Sequence, residues 1–323
     1  PLGFPDGPDA YLYVGGDPVN KVDPLGLYEE DVHYYLVVFL ARVAGLPADI
    51  AHTIGSASQY IDDNVLTTPI LDGPLGSVRP NTRALPLYHF TRESWADTST
   101  DPVIRIRNPT SPQLENLRRP AYDTRLSRCA RTQFFGEYIH AFTDTFSHRD
   151  QNNVPFFFTS TAGHGLYNHD PDQTYNVRDF NNNEMRTLRM AEEVFSEMQT
   201  FSGSPSKFSW ADIQDTVVAF SLTGKAAAAA EARWVSDTFP GHVLRKDLEL
   251  DYKKEILDAK LIALGLGPLT PTVSDKYGNL VVYDYDDRVD APRRRADNLR
   301  GLTHLDPTTG ASTLFPGILL PGD

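Results

Sequence analysis

The sequence predicts a mainly α-helical protein with long loops and a small β-hairpin near its C-terminus. Three observations carry that expectation. Apolar residues recur at three- and four-residue intervals in DVHYYLVVFLARVAG (31–45) and PADIAHTIGSASQYIDDN (47–64), the period of one helix face. A further stretch from about Thr124 to Ser147 has the same period and is rich in Phe. A β-type signal is confined to the tail, where KYGNLVVYDYDDRV reads as a strand or hairpin around a Gly-Asn turn.

Taken in order, residues 1–27 differ from the rest. They are dense in Gly, Pro and Asp, a composition that makes tight turns and very short strands. Gly45 and Pro47 then separate the first two helices in the usual stop-and-start manner. Residues 64–120 are rich in Pro, Thr and Arg and read as long loops, as do residues 149–183 with their many Asn, Asp and Gly. Helices are expected over Asn183–Phe201, Trp210–Leu222, Lys225–Thr238 and Lys246–Leu264. This divides the chain into a short leading piece (1–27), a helical domain (28–265) and a C-terminal extension with the hairpin (266–323).

Bulk numbers exclude some functions. A hydrophobic content of 40% and a charged content of 23% are those of a globular protein, and no apolar run approaches a bilayer span. The net charge of −13 argues against electrostatic capture of nucleic acid, which needs Lys and Arg. It does not exclude a nuclease, because a bound cation reverses the local charge. Arg293, Arg294 and Arg295 read as a solvated loop. The single cysteine, Cys129, rules out an internal disulfide and is expected in the core.

The polar residues with metal-ligand chemistry cluster. Of nine histidines only His242 and His304 lie beyond His169. His140, Asp144 and His148 repeat every four residues in HAFTDTFSH, which stacks them on one helix face. Phe134, Phe135, Ile139, Phe142 and Phe146 around them predict a helix buried on most sides. A buried carboxylate between imidazoles needs compensation, and a metal supplies it. The polar segment GHGLYNHDPD adds His164, His169 and Asp172. Upstream, Asp62 and Asp63 end the second helix, where paired carboxylates oppose the helix dipole and call for a cation. His33 at the start of the first helix and His89 in LPLYHFT complete the candidates, while His52 is expected to be exposed.

Two resemblances follow from these residues. AYLYVGGDPVNKVDPLGL (10–27) resembles the closing motif of the Rhs/YD-repeat shell, which precedes a variable toxin. That resemblance implies a cut between Leu27 and Tyr28 with Asp23 as one participating carboxylate. The partner Asp would precede the first Pro-Leu-Gly, where this sequence starts, so the fragment is not expected to cleave itself. The order His33, Asp62 or Asp63, His89, His140, Asp144, His148, His164, then His169 or Asp172 resembles that of the zinc-dependent phospholipase C / P1 nuclease superfamily. DVHYY, SQYIDD, HAFTDTFSH and GHGLYNHDPD are also similar to the motifs of a bacterial family of unknown function. The pattern departs from the phospholipases in two places. Asp144 and His148 are only four residues apart, and the position four after His164 is Asn168 rather than an acid.

What the second resemblance implies is an all-helical hydrolase fold holding two or three zinc ions that activate water for attack on a phosphodiester. Asp63 and Asp144 would serve the chemistry, and Arg178 or Arg186 would stabilise phosphoryl charge. In those enzymes the mature N-terminal amine ligates a metal, so Tyr28, freed by cleavage, is a further candidate, with Asp31 or water as the alternative. The expected function is a Rhs-family antibacterial effector delivered into target bacteria by a type VI-like system, with the Rhs shell and a cognate immunity protein as partners. A membrane phospholipid is the first-choice substrate, with Phe156, Phe157 and Phe158 as residues that would dip into the surface. A P1-type nuclease is the alternative, and a non-enzymatic membrane-active toxin with a structural metal the second.

Overall fold

The computed structural model describes residues 30–63, 67–72, 78–91, 111–154, 170–177, 180–237 and 245–270, with short strands at 272–274, 280–282, 303–305 and 312–314. It is mainly α-helical, as the periodicity predicts. The first helix opens as a π-helical segment, Asp31–Leu36, and continues as α1 (Val37–Val43). Val32 to Val43 are all buried, as expected of a helix with apolar residues on every side. After a turn at Gly45 the chain enters α2 (Ala48–Asp63). The remaining helices are α3 (Pro112–Arg118), α4 (Arg128–Ser147), α5 (Asn183–Ser202), α6 (Gln214–Asp237) and α7 (Arg245–Ala263).

The central helix is α4. Ser127 caps it, its side chain accepting from the Ala130 N–H at 3.1 Å. Thr132 to Ser147 are buried throughout, polar residues included. Its closest partner is α2, and Gly136 is the reason. A Cβ there would come within 2.6 Å of the Ile54 carbonyl oxygen and of Ala57 Cβ. Without it the two backbones touch, which brings Asp62 at the end of α2 level with His140 on α4. Phe39, Ile54, Phe135, Phe142, Val194 and Leu257 join α1, α2, α4, α5 and α7 in one core.

Three details differ from the sequence expectation. Part of the expected loop at 64–120 is structured: β1 (Ile70–Asp72) pairs antiparallel with β2 (Val78–Pro80), Leu85–His89 form a π-helical turn, and α3 runs into a 3-10 turn at Arg119–Tyr122. The two helices expected around residue 224 are one, α6. Gly224 does not break it, because the ring of Tyr175 occupies the space of its missing side chain, and a Cβ would lie 1.8 Å from Tyr175 Cε1. At the C-terminus β3 (Thr272–Ser274) and β4 (Leu280–Val282) form the expected hairpin, and β5 (Thr303–Leu305) pairs with β6 (Ser312–Leu314) in a second one.

Two side chains are corrected. Cys129 is exposed rather than in the core, because it stands in the first turn of α4 before the other helices cover it. His52 is buried rather than exposed: its Nδ1 lies 2.8 Å from the Tyr34 hydroxyl, which turns this face of α2 inward. Among the described residues no helix is long and apolar enough to cross a membrane.

Candidate metal centre

Four separate elements deliver five side chains to one place. His33 comes from the π-helical start of the first helix, Asp62 from the end of α2, His89 from the π-helical turn, and His140 and Asp144 from α4. π-helical turns re-aim side chains locally and recur at functional sites; here two of them carry imidazoles. All five are enclosed except for Asp62, whose side chain is 13% exposed.

The donor atoms converge. Asp144 Oδ1 is 3.2 Å from His33 Nε2, while Oδ2 is 3.1 Å from His89 Nδ1 and 3.4 Å from His140 Nε2. Asp62 divides the same way, Oδ2 toward His33 Nε2 at 3.9 Å and Oδ1 toward His140 Nε2 at 3.6 Å and His89 Nδ1 at 3.8 Å. His140 Nε2 and His89 Nδ1 are 3.2 Å apart. Ligands held tetrahedrally at about 2.0–2.1 Å from a zinc ion stand roughly 3.3 Å from one another. The spacing of these atoms therefore fits a small divalent cation, and the buried groups His33–Asp62–His140 and His89–His140–Asp144 can each hold a metal ion.

Hydrogen bonds set how the rings present themselves. His89 Nε2 lies 2.8 Å from the Thr67 carbonyl oxygen, which only accepts, so Nε2 carries the proton and Nδ1 turns its lone pair inward. That lone pair faces Asp144 Oδ2 at 3.1 Å, acceptor against acceptor. Only a cation between them, or a second proton on the ring, makes this contact attractive. On the outer side of His33, Nδ1 is 3.2 Å from Thr143 Oγ1. The rings of His33 and His140 stack with centroids 4.1 Å apart, a contact two charged imidazoliums would resist.

The electrostatics agree with a neutral His140 imidazole beside an ionised Asp144 carboxylate. Burial, with His33 adding to it, pushes the His140 imidazole down to about 3, against the opposing pull of Asp144. Burial disfavours charge on Asp144 too, but His140 and His148 beside it outweigh that and hold its carboxyl well below the usual carboxylate range. The centre thus offers lone pairs and negative charge in a dry site, the chemistry of a cation site.

His148 stands beside this cluster. It is the first residue past α4, and its Nδ1 donates to the His89 carbonyl oxygen at 2.7 Å, which leaves Nε2 to face Asp172 Oδ1 at 3.9 Å. Phe90 stacks on its ring at 4.2 Å, and burial pushes it down to about 4. Asp172 is placed by the segment around it: Thr174 Oγ1 donates to the Ser221 carbonyl, and Asn183 Nδ2 to the Tyr175 carbonyl.

Of the sequence candidates, the structure therefore unites His33, Asp62, His89, His140 and Asp144, with His148 and Asp172 as a neighbouring pair. Asp62 rather than Asp63 reaches the cluster from the α2 end; the side chain of Asp63 lies outside the described residues, as do His164, His169, Arg178, Phe156–Phe158 and Asp23, Leu27 and Tyr28. Arg186 is not available to substrate. It is fully buried, and its guanidinium donates to Asn153 Oδ1 at 2.6 Å, to the Arg149 carbonyl at 2.9 Å and to the Asp150 carbonyl. With Arg149, which donates to the Thr145 and Asn153 carbonyls, it ties down the turn after His148. Asp31 is also engaged, accepting from Val32 N–H at 2.9 Å and from Lys253 Nζ at 2.6 Å.

Sequence reading missed Thr67 and Thr143. Thr143 was findable, since it lies three residues after His140 on α4; toward the cluster Thr67 contributes only its backbone, which leaves no trace in residue type. Comparison with known proteins adds one finding: no curated protein and no solved structure matches the chain, but residues 28–262 match the model described as Family of unknown function (DUF6765). That match spans most of the 323 residues and contains every residue of the cluster, so the chain belongs to the DUF6765 family.

Proposed function

We propose that this chain is a metal-dependent phosphoric ester hydrolase, binding two zinc ions at the His33–Asp62–His89–His140–Asp144 cluster and a third near His148 and Asp172. The observation that carries the reading is the contact of His89 Nδ1 with Asp144 Oδ2. The ring is set by Thr67 so that a lone pair meets a carboxylate at 3.1 Å inside a dry core. Such an arrangement is costly alone and favourable around a cation. The split of both carboxylates, one oxygen toward His33 and the other toward His89 and His140, would let Asp62 and Asp144 serve more than one ion.

Zinc bound there would lower the pKa of a coordinated water toward about 7 and so supply the nucleophile. The chain's own residues have three tasks. His33, His89 and His140 keep their inward nitrogens unprotonated. Asp144 holds negative charge between the two halves of the site. Asp62, the partly exposed member, orients what enters, and Asp63, the next residue in the sequence, is our candidate proton acceptor.

A phospholipid is the favoured substrate, because a net charge of −13 opposes a polynucleotide. We place the activity in an Rhs effector delivered into rival bacteria by a type VI-like system and neutralised by an immunity protein. The DPLGL motif of residues 23–27 supports this, since the family match begins at the very next residue. The test is to incubate the zinc-loaded chain with phosphatidylethanolamine vesicles, single-stranded DNA and RNA, with and without chelator. Chelator-sensitive release of phosphorylated headgroup is expected. Chelator-sensitive cleavage of nucleic acid instead would make it a nuclease. A chain that carries its metals and hydrolyses none of the three would overturn the enzyme reading in favour of a structural metal in a membrane-active toxin.

A further inference from the structure

We infer that Thr143 is the positioning residue that selects the metal-binding tautomer of His33. The inference rests on the metal reading above and adds which group prepares one half of the site. Thr143 is fully buried on α4, one residue before Asp144. Its hydroxyl donates to the His140 carbonyl oxygen, three residues back, at 2.7 Å. A hydroxyl has a single proton. With that proton committed to a carbonyl, which cannot donate in return, Oγ1 has only lone pairs left for His33 Nδ1 at 3.2 Å.

Nδ1 of His33 must therefore carry the ring proton, and Nε2 presents its lone pair to Asp144 Oδ1 at 3.2 Å and to Asp62 Oδ2 at 3.9 Å. A proton on Nε2 instead would give the carboxylates a hydrogen-bond donor and close this position to a cation. The device matters here because His33 arrives from a different helix. Its ring is brought onto α4 by stacking on His140, a contact that leaves its rotation about the ring axis free; the Thr143 hydroxyl fixes that rotation. The same logic governs His89 through the Thr67 carbonyl and His148 through the His89 carbonyl, but those partners are backbone atoms that no substitution removes. Thr143 is the side-chain member of the set, and so it is the one open to mutation.

Thr143→Val keeps the shape and removes the acceptor, while Thr143→Ser keeps the acceptor. Cobalt(II) titration of the full chain, followed by its visible absorption, reads both affinity and ligand field. The Val variant is expected to bind one cobalt 10–100-fold more weakly, the range for losing the outer hydrogen bond of a ligand histidine. Its spectrum should resemble that of His33→Ala, whereas the Ser variant should keep the wild-type affinity and spectrum. Val binding indistinguishable from wild type would overturn the role of Thr143 and leave the metal site standing. No cobalt uptake by the wild-type chain would overturn the metal reading itself. Long-range 1H–15N spectra of the unaltered protein give a test that needs no variant: the Nδ1–H form of His33 is expected, and the Nε2–H form would refute the assignment even if Thr143→Val failed to fold.

Discussion

Glu137 gives the sharpest prediction about stability. It lies on α4 three residues before His140, is 2% exposed, and its Oε1 has no hydrogen-bond partner among the described residues. Burial pushes its carboxyl from 4.5 up to about 8. Between those two values the folded chain keeps a proton that the unfolded chain has released. Stability is therefore intact below pH 4.5 and falls as pH rises toward 8. A gap of about 3.5 in pKa, at 1.36 kcal/mol for each, amounts to about 5 kcal/mol over the whole window and about 3 kcal/mol by pH 7. Glu137→Gln is nearly isosteric and cannot ionise, so it removes this loss. Urea unfolding of both proteins from pH 4.5 to 8, under identical metal conditions, should show no advantage for the variant at pH 4.5 and about 3 kcal/mol at pH 7. Other titrating groups cancel in the difference. A variant less stable than wild type at pH 7 would refute the reasoning, because it would mean that Glu137 is ionised in the folded chain and paired with a positive group.

Three further outcomes are expected. Asp144→Asn removes the carboxylate that lies nearer than Asp62 to all three imidazoles of the cluster, so zinc affinity measured by chelator competition should fall by more than about 100-fold, since losing even an outer partner of a ligand costs 10–100-fold. The ring proton shifts of His140 and His148 in the metal-free chain should stay flat between pH 5 and 8, as burial lowers them to about 3 and about 4; NMR titration checks this. Gly224→Ala should cost about 1–3 kcal/mol by urea unfolding, although glycine to alanine inside a helix ordinarily stabilises, because the added methyl overlaps the Tyr175 ring.

The helices and most of the cluster were legible in the sequence for one physical reason. A helix repeats every 3.6 residues, so four-residue spacing in HAFTDTFSH announces both the helix and its polar face. His33 and His89 could be nominated but not joined, because the local periodicity says nothing about which helix ends meet. The meeting depends on Gly136 admitting the α2 backbone, a feature whose residue type is informative only once its neighbour is known. Arg186 illustrates the opposite failure. An arginine near acidic and histidine residues suggests phosphate binding, but the left-handed turn at Asn153 leaves several carbonyls facing inward, and the guanidinium serves them instead. Gly224 is legible only in the same way as Gly136: its role is the close approach of the Tyr175 ring.

The engagement of Asp31 bears on how the site is completed. Two groups near His33 were candidates for a further ligand, Asp31 and the amine that cleavage before Tyr28 would create. Asp31 has both oxygens in use: Oδ1 accepts from Val32 N–H, and Oδ2 takes Lys253 Nζ at 2.6 Å. Lys253 in turn is buried on α7 and also holds Glu249 at 2.5 Å. Removing Asp31 to serve a metal would take one of the two carboxylates from that buried ammonium and leave it to Glu249 alone, which weakens the pairing on which a buried charge depends. The pair instead fixes the start of the first helix against α7, three residues after Tyr28. If an additional ligand comes from this end of the domain, the new amine is better suited than Asp31. Native mass spectrometry of two forms decides the matter: a chain beginning at Tyr28 should carry one more zinc than a chain in which the Leu27–Tyr28 bond is intact. Equal zinc content would show that the amine takes no part, and loss of zinc in Asp31→Asn with Lys253 still buried would show that the carboxylate had been the ligand.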